Sequence, residues 1–186
     1  LVSVGADISR VDNNGLSALH YAILNNQQPI FELLVRSGAQ TDVADLNGDT
    51  LGHYASTEGL ENVLRLLAEV SDLFALNHNG ESLVYASATS GKEACLRYLL
   101  DSGVDHSYAN VNGQTPAHAA AWHGHPECLR ILIEYGAIAD SPDNFGTTPA
   151  LYAADNGNRD CLSVIGRDRI LPAIQDGTFG PVHAVV

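Results

Sequence analysis

Glycine recurs along this 186-residue chain at a nearly constant interval, and no other feature constrains the fold as strongly. The first series is spaced by 33, 32, 33 and 33 residues, and a second glycine follows eleven residues after each, except where Asn26 takes its place. Asn also tolerates a left-handed backbone, so this exception is chemically consistent. Such a period predicts stacked units that cannot bury their apolar faces alone. The series are Gly15, Gly48, Gly80, Gly113 and Gly146, then Gly59, Gly91, Gly124 and Gly157.

Apolar and capping residues keep the same register in every unit. Apolar pairs recur after the second glycine, and their i, i+3, i+4 spacing predicts a helix with one buried face. A Ser or Thr two residues after the first glycine predicts the start of another helix, with Pro116 and Pro149 at its first position. A glycine closes most second helices, and Ser71 replaces it in the second unit. The caps are Ser17, Thr50, Ser82, Thr115 and Thr148, and the closing glycines are Gly5, Gly38, Gly103 and Gly136.

These residues also resemble a known family. Thr115-Pro116-Ala117-His118, together with the Gly124-His125 that follows, is similar to the ankyrin-repeat signature. Asp12, Asp45 and Asp143 match the aspartate of its loop. The resemblance implies an all-α solenoid of stacked helix-turn-helix units with short β-hairpin-like finger loops.

The register divides the chain into five repeats with a partial repeat at each end. The fifth repeat departs from the signature, because Leu151 replaces the His and Arg169 stands where the closing Gly is expected. Since the chain has no Met and both end units are incomplete, we expect it to be part of a longer protein. The predicted units are 1–11 (end of a partial repeat), 12–44, 45–76, 77–109, 110–142, 143–174 (degenerate) and 175–186 (start of a further repeat).

The charge of the chain narrows the class of partner. Lys and Arg number 9 against 22 Asp and Glu, which gives a formal net charge of -13. A polyanion repels nucleic-acid phosphates and anionic lipid headgroups, so we predict no nucleic-acid partner. Apolar runs fall short of the roughly 20 residues that a membrane span needs, so we also predict no membrane insertion in this segment.

Three cysteines lie 33 residues apart at one core position of consecutive second helices, at Cys95, Cys128 and Cys161. Neighbouring helix axes lie about 8–10 Å apart, which is too far for a disulfide. The Cys-x-x-Cys spacing typical of zinc sites is absent from the sequence. We therefore predict buried free thiols and a reducing compartment, which favours an intracellular and specifically cytoplasmic protein.

The histidines do not form a catalytic or metal-binding pattern. By the resemblance, His20, His53 and His118 link adjacent units through hydrogen bonds, and His125 is a structural residue of the turn. His123 lies two residues before His125. A third ligand at helical spacing is lacking, so we predict no metal site. Neither a nucleophile elbow, a P-loop nor a His-Glu-x-x-His motif occurs, and we predict neither catalysis nor a cofactor.

A binding surface remains as the predicted functional feature. The resemblance implies that a partner contacts the finger tips and the concave, exposed side of the first helices. Trp122 is the single Trp of the chain and a candidate anchor, although it could instead pack on the first helix of the next unit. Apolar residues at finger tips have no core to fill, which marks contact sites. The predicted partner-binding residues are Leu46, Asp49, His78, Glu81, Val111, Gln114, Trp122, His123, Phe145 and Asp155.

The predicted fingers carry eight aspartates and one base, Arg10. We therefore predict a noncatalytic protein-recognition module whose partner is a protein or peptide with a basic or Arg-bearing segment. Two alternatives stay open: a substrate-selecting segment of a multidomain enzyme, and a structural segment of a membrane channel. A substrate of asparaginyl hydroxylation is disfavoured, because the loop slot that often holds Asn in the family holds Ser9, Asp42, Phe74, Ser107 and Asp140.

Overall fold

The computed structural model describes residues 7–166, and this part of the chain is helical with short connecting loops. Nine helices have both ends within the described range, and residues 159–166 are also helical. Their bounds are α1 Ala18–Leu24, α2 Gln28–Arg36, α3 Leu51–Glu58, α4 Glu61–Leu67, α5 Leu83–Thr89, α6 Glu93–Asp101, α7 Pro116–His123, α8 Pro126–Glu134 and α9 Pro149–Asp155.

The helices form two rows. The first helices of the repeats stack on one another in the order α1, α3, α5, α7, α9, and each of α1, α3, α5 and α7 also packs on the second helix of its own repeat. The second row contains contacts of α4 with α6 and of α6 with α8. The apolar core lies between the rows, as in Leu64, Leu96 and Leu129, which are fully buried. The predicted all-α solenoid of helix-turn-helix units is confirmed.

The predicted caps begin the first helices. Thr115 precedes α7, where Pro116 takes the first helical position. The Thr115 backbone N–H donates to Nδ1 of His118 at 3.0 Å, so Nδ1 is the unprotonated nitrogen and Nε2 carries the proton. Nε2 then donates to the carbonyl of Thr147 in the next finger at 3.2 Å. One imidazole therefore joins a helix cap to the neighbouring repeat.

The second repeat makes the same link, and the first does not. His53 Nε2 lies 2.9 Å from the Glu81 carbonyl. The buried Nε2 of His20 has no partner with regular hydrogen-bond geometry within the described residues, and the backbone of Asp49 in the next finger makes only a weaker contact with this ring. The His20 ring stands edge-on to Tyr54, with 5.0 Å between ring centres. The link that the resemblance implies thus has regular hydrogen-bond geometry for two of the three histidines.

The fingers are joined by backbone hydrogen bonds. In each Asn-Gly turn, the Asn carbonyl accepts an N–H from the tip of the next finger, and the glycine has a positive φ. Isolated antiparallel bridges such as Val11 to Ser17 give three fingers their hairpin-like form. The four inter-finger bonds are Leu46 to Asn14 at 3.1 Å, His78 to Asn47 at 2.9 Å, Val111 to Asn79 at 2.8 Å and Asn144 to Asn112 at 3.0 Å.

The cysteines occupy the core as predicted. Cys95, Cys128 and Cys161 are free and buried, and the Cys95 Sγ lies 3.9 Å from the Ala55 carbonyl. Burial raises the pKa of these thiols to about 11, 12 and 11. They are therefore protonated at neutral pH and pack as small apolar groups.

The end of the second repeat is irregular. Ser71 does not take the left-handed conformation of the closing glycines Gly38 and Gly103, and α4 ends earlier than its counterparts, at Leu67. The Ser71 hydroxyl donates to the carbonyl of Thr41 in the preceding loop at 3.3 Å. This bond gives the shortened connection an attachment to its neighbour.

Several predictions fall partly or wholly outside residues 7–166. These are the closing Gly5, the substitution at Arg169 and the further repeat at 175–186. The bounds of the individual repeats stay predictions.

We predict that Gly113→Ala destabilises the fold more than Gly103→Ala. Both glycines have a positive φ, so each substitution introduces left-handed strain of about 1 kcal/mol. A Cβ at residue 113 would also lie 2.8 Å from the backbone nitrogen of Asn144, whereas nothing lies within 4 Å of one at residue 103. We expect a difference of at least about 1 kcal/mol in free energy of unfolding, measured by urea denaturation. Equal losses would contradict close finger stacking.

Candidate functional site

Two adjacent depressions lie along the face formed by the fingers and the first helices. The larger has a volume of about 340 Å³ and includes residues of α3 and α5. The smaller, of about 220 Å³, includes residues of α5, α7 and α9. Tyr85 lines both, so the two are neighbours on one face, and together they are called the groove. We call the larger one the anionic depression, because Asp49, Glu58 and Glu81 line it, and the smaller one the aromatic depression, because Trp122 and Tyr152 line it.

The anionic depression is built around an amide that holds two carboxylates. Asn77 Nδ2 donates to Asp49 Oδ1 and to Glu81 Oε2, both at 2.8 Å. The second oxygen of each carboxylate has no hydrogen-bond partner within residues 7–166, and Glu58 adds a third carboxylate to the lining. The rings of Tyr54 and Tyr85 complete the lining beside them. This depression therefore offers hydrogen-bond acceptors and aromatic surface.

The basic side chains that form ion pairs lie on the other row of helices. All four ion pairs between described residues involve second helices only, and neither depression has a Lys or Arg in its lining. The carboxylates of the groove are thus not neutralised by bases of the described chain. The pairs are Arg36–Glu32, Arg65–Glu61, Arg97–Glu134 and Arg130–Glu127.

The aromatic depression has a different chemistry. The Trp122 ring meets the Tyr152 ring edge-on, with 4.8 Å between their centres. Gln114 Nε2 donates to the Tyr152 hydroxyl at 2.8 Å, and that hydroxyl donates to Asp143 Oδ2 at 2.7 Å. Its principal polar groups are thus bonded to one another, and its lining contains no carboxylate. It therefore offers a ligand aromatic ring surface bordered by polar groups, without a carboxylate.

In three repeats, an aspartate of the finger bonds to a tyrosine nine residues later. Asp143 Oδ1 accepts two backbone N–H bonds that shape the finger, and Oδ2 accepts the hydroxyl of Tyr152, nine residues later. Asp12 and Asp45 make the same bond to Tyr21 and Tyr54. Asn in this slot has an NH₂ group instead of the second acceptor.

The third and fourth repeats carry Asn in the finger and a small residue nine positions later. Asn77 is followed by Ala86 and Asn110 by Ala119, and these alanines line the anionic and the aromatic depression respectively. Exchange of Asp for Asn thus accompanies the loss of the large ring and opens the groove. This signal, readable from the sequence, was not among the predicted features, and neither was the lining residue Tyr85.

The finger carboxylates and their tyrosines influence each other's pKa. Burial alone would raise the pKa of Asp143, but hydrogen bonds from Tyr152 and from the Thr147 and Phe145 backbone outweigh it and lower that pKa. Burial and then the bond to Asp45 raise the pKa of Tyr54 to about 12. The finger aspartates are therefore charged and the tyrosines neutral near pH 7.

The groove brings together half of the predicted binding residues. Asp49 and Glu81 line the anionic depression, and Gln114, Trp122 and His123 line the aromatic one. Trp122 packs on Tyr152 of α9 and is still 46% exposed, so the structure contains both the packing contact and an accessible ring face.

The other predicted residues lie outside the groove. Leu46, Val111 and Phe145 are 68%, 64% and 75% exposed at the finger tips, and His78 is exposed there too. Asp155 is the last residue of α9, is exposed and lines neither depression. A binding role for all ten residues stays a prediction.

The histidine pair of the fourth repeat has a structural member and an exposed one. His125 Nε2 lies 3.0 Å from the Thr89 carbonyl and so joins two repeats. His123 stacks on it, with 6.3 Å between ring centres. Asn158 takes the place of His125 in the next repeat and donates to the Trp122 carbonyl at 2.9 Å. Within residues 7–166, no group of three His, Cys, Asp or Glu residues is arranged to hold a metal ion.

Comparison with known proteins agrees with this architecture. A sequence model described as "Ankyrin repeats (3 copies)" matches residues 1–77, 32–110, 53–143 and 83–170. The chain belongs to the ankyrin-repeat family. Ankyrin repeats are protein–protein interaction modules, and the repeats themselves are noncatalytic.

Individual relatives match over part of their length. The chain is 32% identical over 91 residues to the nuclear factor NF-kappa-B p105 subunit of Gallus gallus, covering 47% of this chain and 9% of that protein. It is 29% identical over 94 residues to NF-kappa-B inhibitor alpha of Mus musculus, covering 47% and 30%. It is 29% identical over 115 residues to "Putative palmitoyltransferase ZDHHC13" of Danio rerio, covering 59% and 18%. The chain thus matches less than a third of each relative.

Among the described residues, no helix is long and apolar enough to cross a membrane.

We predict that acid weakens the array through two of its buried histidines. Burial lowers the pKa of His20 and His118 below the 6.5 of a free imidazole, so just below pH 6.5 the unfolded chain binds more protons than the folded one. The free energy of unfolding should therefore be fully present above about pH 6.5 and fall as the pH drops toward the folded-state pKa values.

Urea denaturation at pH 7.5, 6.5 and 5.5 measures this effect. The variant with His20→Gln and His118→Gln cannot titrate at these sites, so it should lose less stability between pH 6.5 and 5.5 than the wild type. The same pH dependence in both proteins would contradict the assignment.

Proposed function

We propose that this array is a noncatalytic recognition module that binds a basic or Arg-bearing segment of another protein through its finger tips and first-helix face. The observation that carries the proposal is the separation of charge across the array. Asp49 and Glu81 are held together in the groove without a base, while the paired arginines lie on the second helices. A positively charged segment is the complement of such a surface.

The exposed finger tips support a contact area larger than the groove. Leu46 and Val111 carry apolar side chains in corresponding positions of two fingers, and Phe145 adds a third one position further along its own finger. An apolar surface of this kind beside charged residues is typical of interaction sites. The relative named NF-kappa-B inhibitor alpha is, by its name, directed at another protein, in line with a protein partner.

An intracellular, cytoplasmic location is part of the proposal. Three free cysteines at equivalent core positions are compatible with a reducing compartment. The net charge of -13 disfavours nucleic acid as the direct partner, because phosphate groups would be repelled.

A second candidate is a substrate-selecting segment of a multidomain enzyme. The match to the ZDHHC13 relative favours it, because that relative carries an enzyme name and the chain covers only 18% of its length. In that case the groove would bind the enzyme's protein substrate, and the chemistry would reside elsewhere in the polypeptide.

We predict that Trp122→Ala weakens capture of the partner at least tenfold. The exposed face of the ring supplies contact area, and truncating a Trp anchor commonly costs about 2 kcal/mol or more of binding free energy. The Tm should change little, because nearly half of the surface of Trp122 is already exposed to solvent. The measurement is an affinity pull-down at two salt concentrations, quantified by mass spectrometry.

Leu33→Ala is the matched control, because Leu33 is an exposed apolar residue on the second helix α2. It should leave capture unchanged. Proteins captured equally by all three forms would contradict the proposed binding face, and a large fall in Tm for Trp122→Ala would assign this residue to packing. Capture that survives high salt undiminished would contradict a basic partner segment.

A further inference from the structure

We infer that the groove has two subsites of different chemistry: the anionic depression takes an arginine side chain, and the aromatic depression takes an aromatic or large aliphatic side chain of the same partner segment. This inference rests on the proposed function and specifies the segment that the groove selects. It follows from the hydrogen-bond capacity that each depression leaves unused.

The anionic depression has unpaired acceptor oxygens, and an arginine supplies donors for them. Asp49 Oδ2, Glu81 Oε1 and the Glu58 carboxylate are acceptors without partners within residues 7–166. A guanidinium has five N–H donors in a planar fork that two carboxylates can share. The Tyr54 hydroxyl is engaged by Asp45, which leaves its ring for stacking. A planar cation stacks on such rings better than an ammonium group does.

The arrangement of Asn77 argues against a metal ion in the same place. Its two N–H groups occupy one oxygen of Asp49 and one of Glu81 and turn positive ends of dipoles toward the space between them. Within the described residues, these carboxylates do not belong to a group arranged to hold a metal ion. A donor-rich organic cation can bind the outer oxygens without displacing the amide.

The aromatic depression lacks carboxylates and presents the rings of Trp122 and Tyr152, which an aromatic or large aliphatic side chain can contact. Gln114 and the Tyr152 hydroxyl are bonded to each other and, through Asp143, to the finger. An arginine here would lose water without gaining an anionic partner, which is unfavourable. An aromatic side chain would instead meet the accessible ring of Trp122 in edge or offset contact.

The stacking of the helices fixes the spacing of the two side chains. The anionic depression is centred between α3 and α5, and the aromatic depression is centred on α7. At 8–10 Å per helix, the centres are about 15 Å apart. An extended segment covers this distance in about four or five residues at roughly 3.3 Å per residue. Because Tyr85 lines both depressions, one segment that follows this face can reach both.

The test is selection of a bead-displayed random dodecapeptide library on the 186-residue protein. The wild type should enrich peptides with Arg and an aromatic or large aliphatic residue about four or five positions apart. The variant with Asp49→Asn and Glu81→Gln keeps an oxygen for each bond from Asn77 and removes both charges. It should lose the Arg enrichment and keep the aromatic one, whereas Trp122→Ala should show the reverse.

A matched control separates position from net charge. The variant with Glu32→Gln and Glu127→Gln also removes two negative charges, but from the second helices α2 and α8. It should select the same peptides as the wild type. For one selected peptide, Arg→Gln in the peptide should weaken binding at least tenfold to the wild type and to this control, and less than threefold to the Asp49→Asn, Glu81→Gln variant.

The outcomes distinguish the two proposals. If Arg→Gln in the peptide weakens binding equally in the wild type and the Asp49→Asn, Glu81→Gln variant, the arginine subsite is wrong. If Lys replaces Arg in the peptide without loss, the guanidinium specificity is wrong. If no selected peptide responds to any groove substitution while Tm values confirm folding, the proposed function itself fails.

Discussion

The hydrogen bond from each finger to the next determines the geometry on which the groove depends. The Asn carbonyl of each Asn-Gly turn accepts one N–H of the following finger. The two fingers can approach this closely because glycine has no Cβ. Because this contact recurs with each repeat, residues of neighbouring fingers come within reach of a single side chain. Asn77 can therefore hold Asp49 and Glu81 at once. The preorganised carboxylate pair is a product of the stacking.

A single-atom difference in the finger then distinguishes the repeats. Aspartate has a second acceptor and retains a tyrosine nine residues later, as Asp143 retains Tyr152. Asparagine has an NH₂ group in place of that second acceptor. This group donates to the side chain four residues later, as Asn110 donates to Gln114. The small residue that accompanies Asn leaves open space on the first-helix face. Repeats of one architecture thereby present different surfaces along the array.

Much of the fold could be predicted from sequence because its determinants lie within one repeat. The Thr115 cap, the left-handed turns and the buried Cys128 each depend on residues at fixed short spacing. The groove could not be predicted in the same way, because its chemistry depends on side chains from successive repeats. The Asn77 bridge spans two fingers, and Tyr85 lines the groove in a slot where the signature has His. Register alone does not show that His20 lacks the link that His53 makes.

The location of the paired arginines has a consequence beyond the contact surface. On the second helices, pairs such as Arg97 with Glu134 cancel locally, while the fingers and first helices keep uncompensated carboxylates. The array therefore carries an electric dipole across its thickness, with the negative end at the groove. The electric field of an approaching cationic chain exerts a torque on this dipole. The torque turns the groove toward the cationic chain before any atoms touch. The orientation of the encounter is thus set at a distance, and it weakens once the separation exceeds the Debye length of about 8 Å at physiological salt.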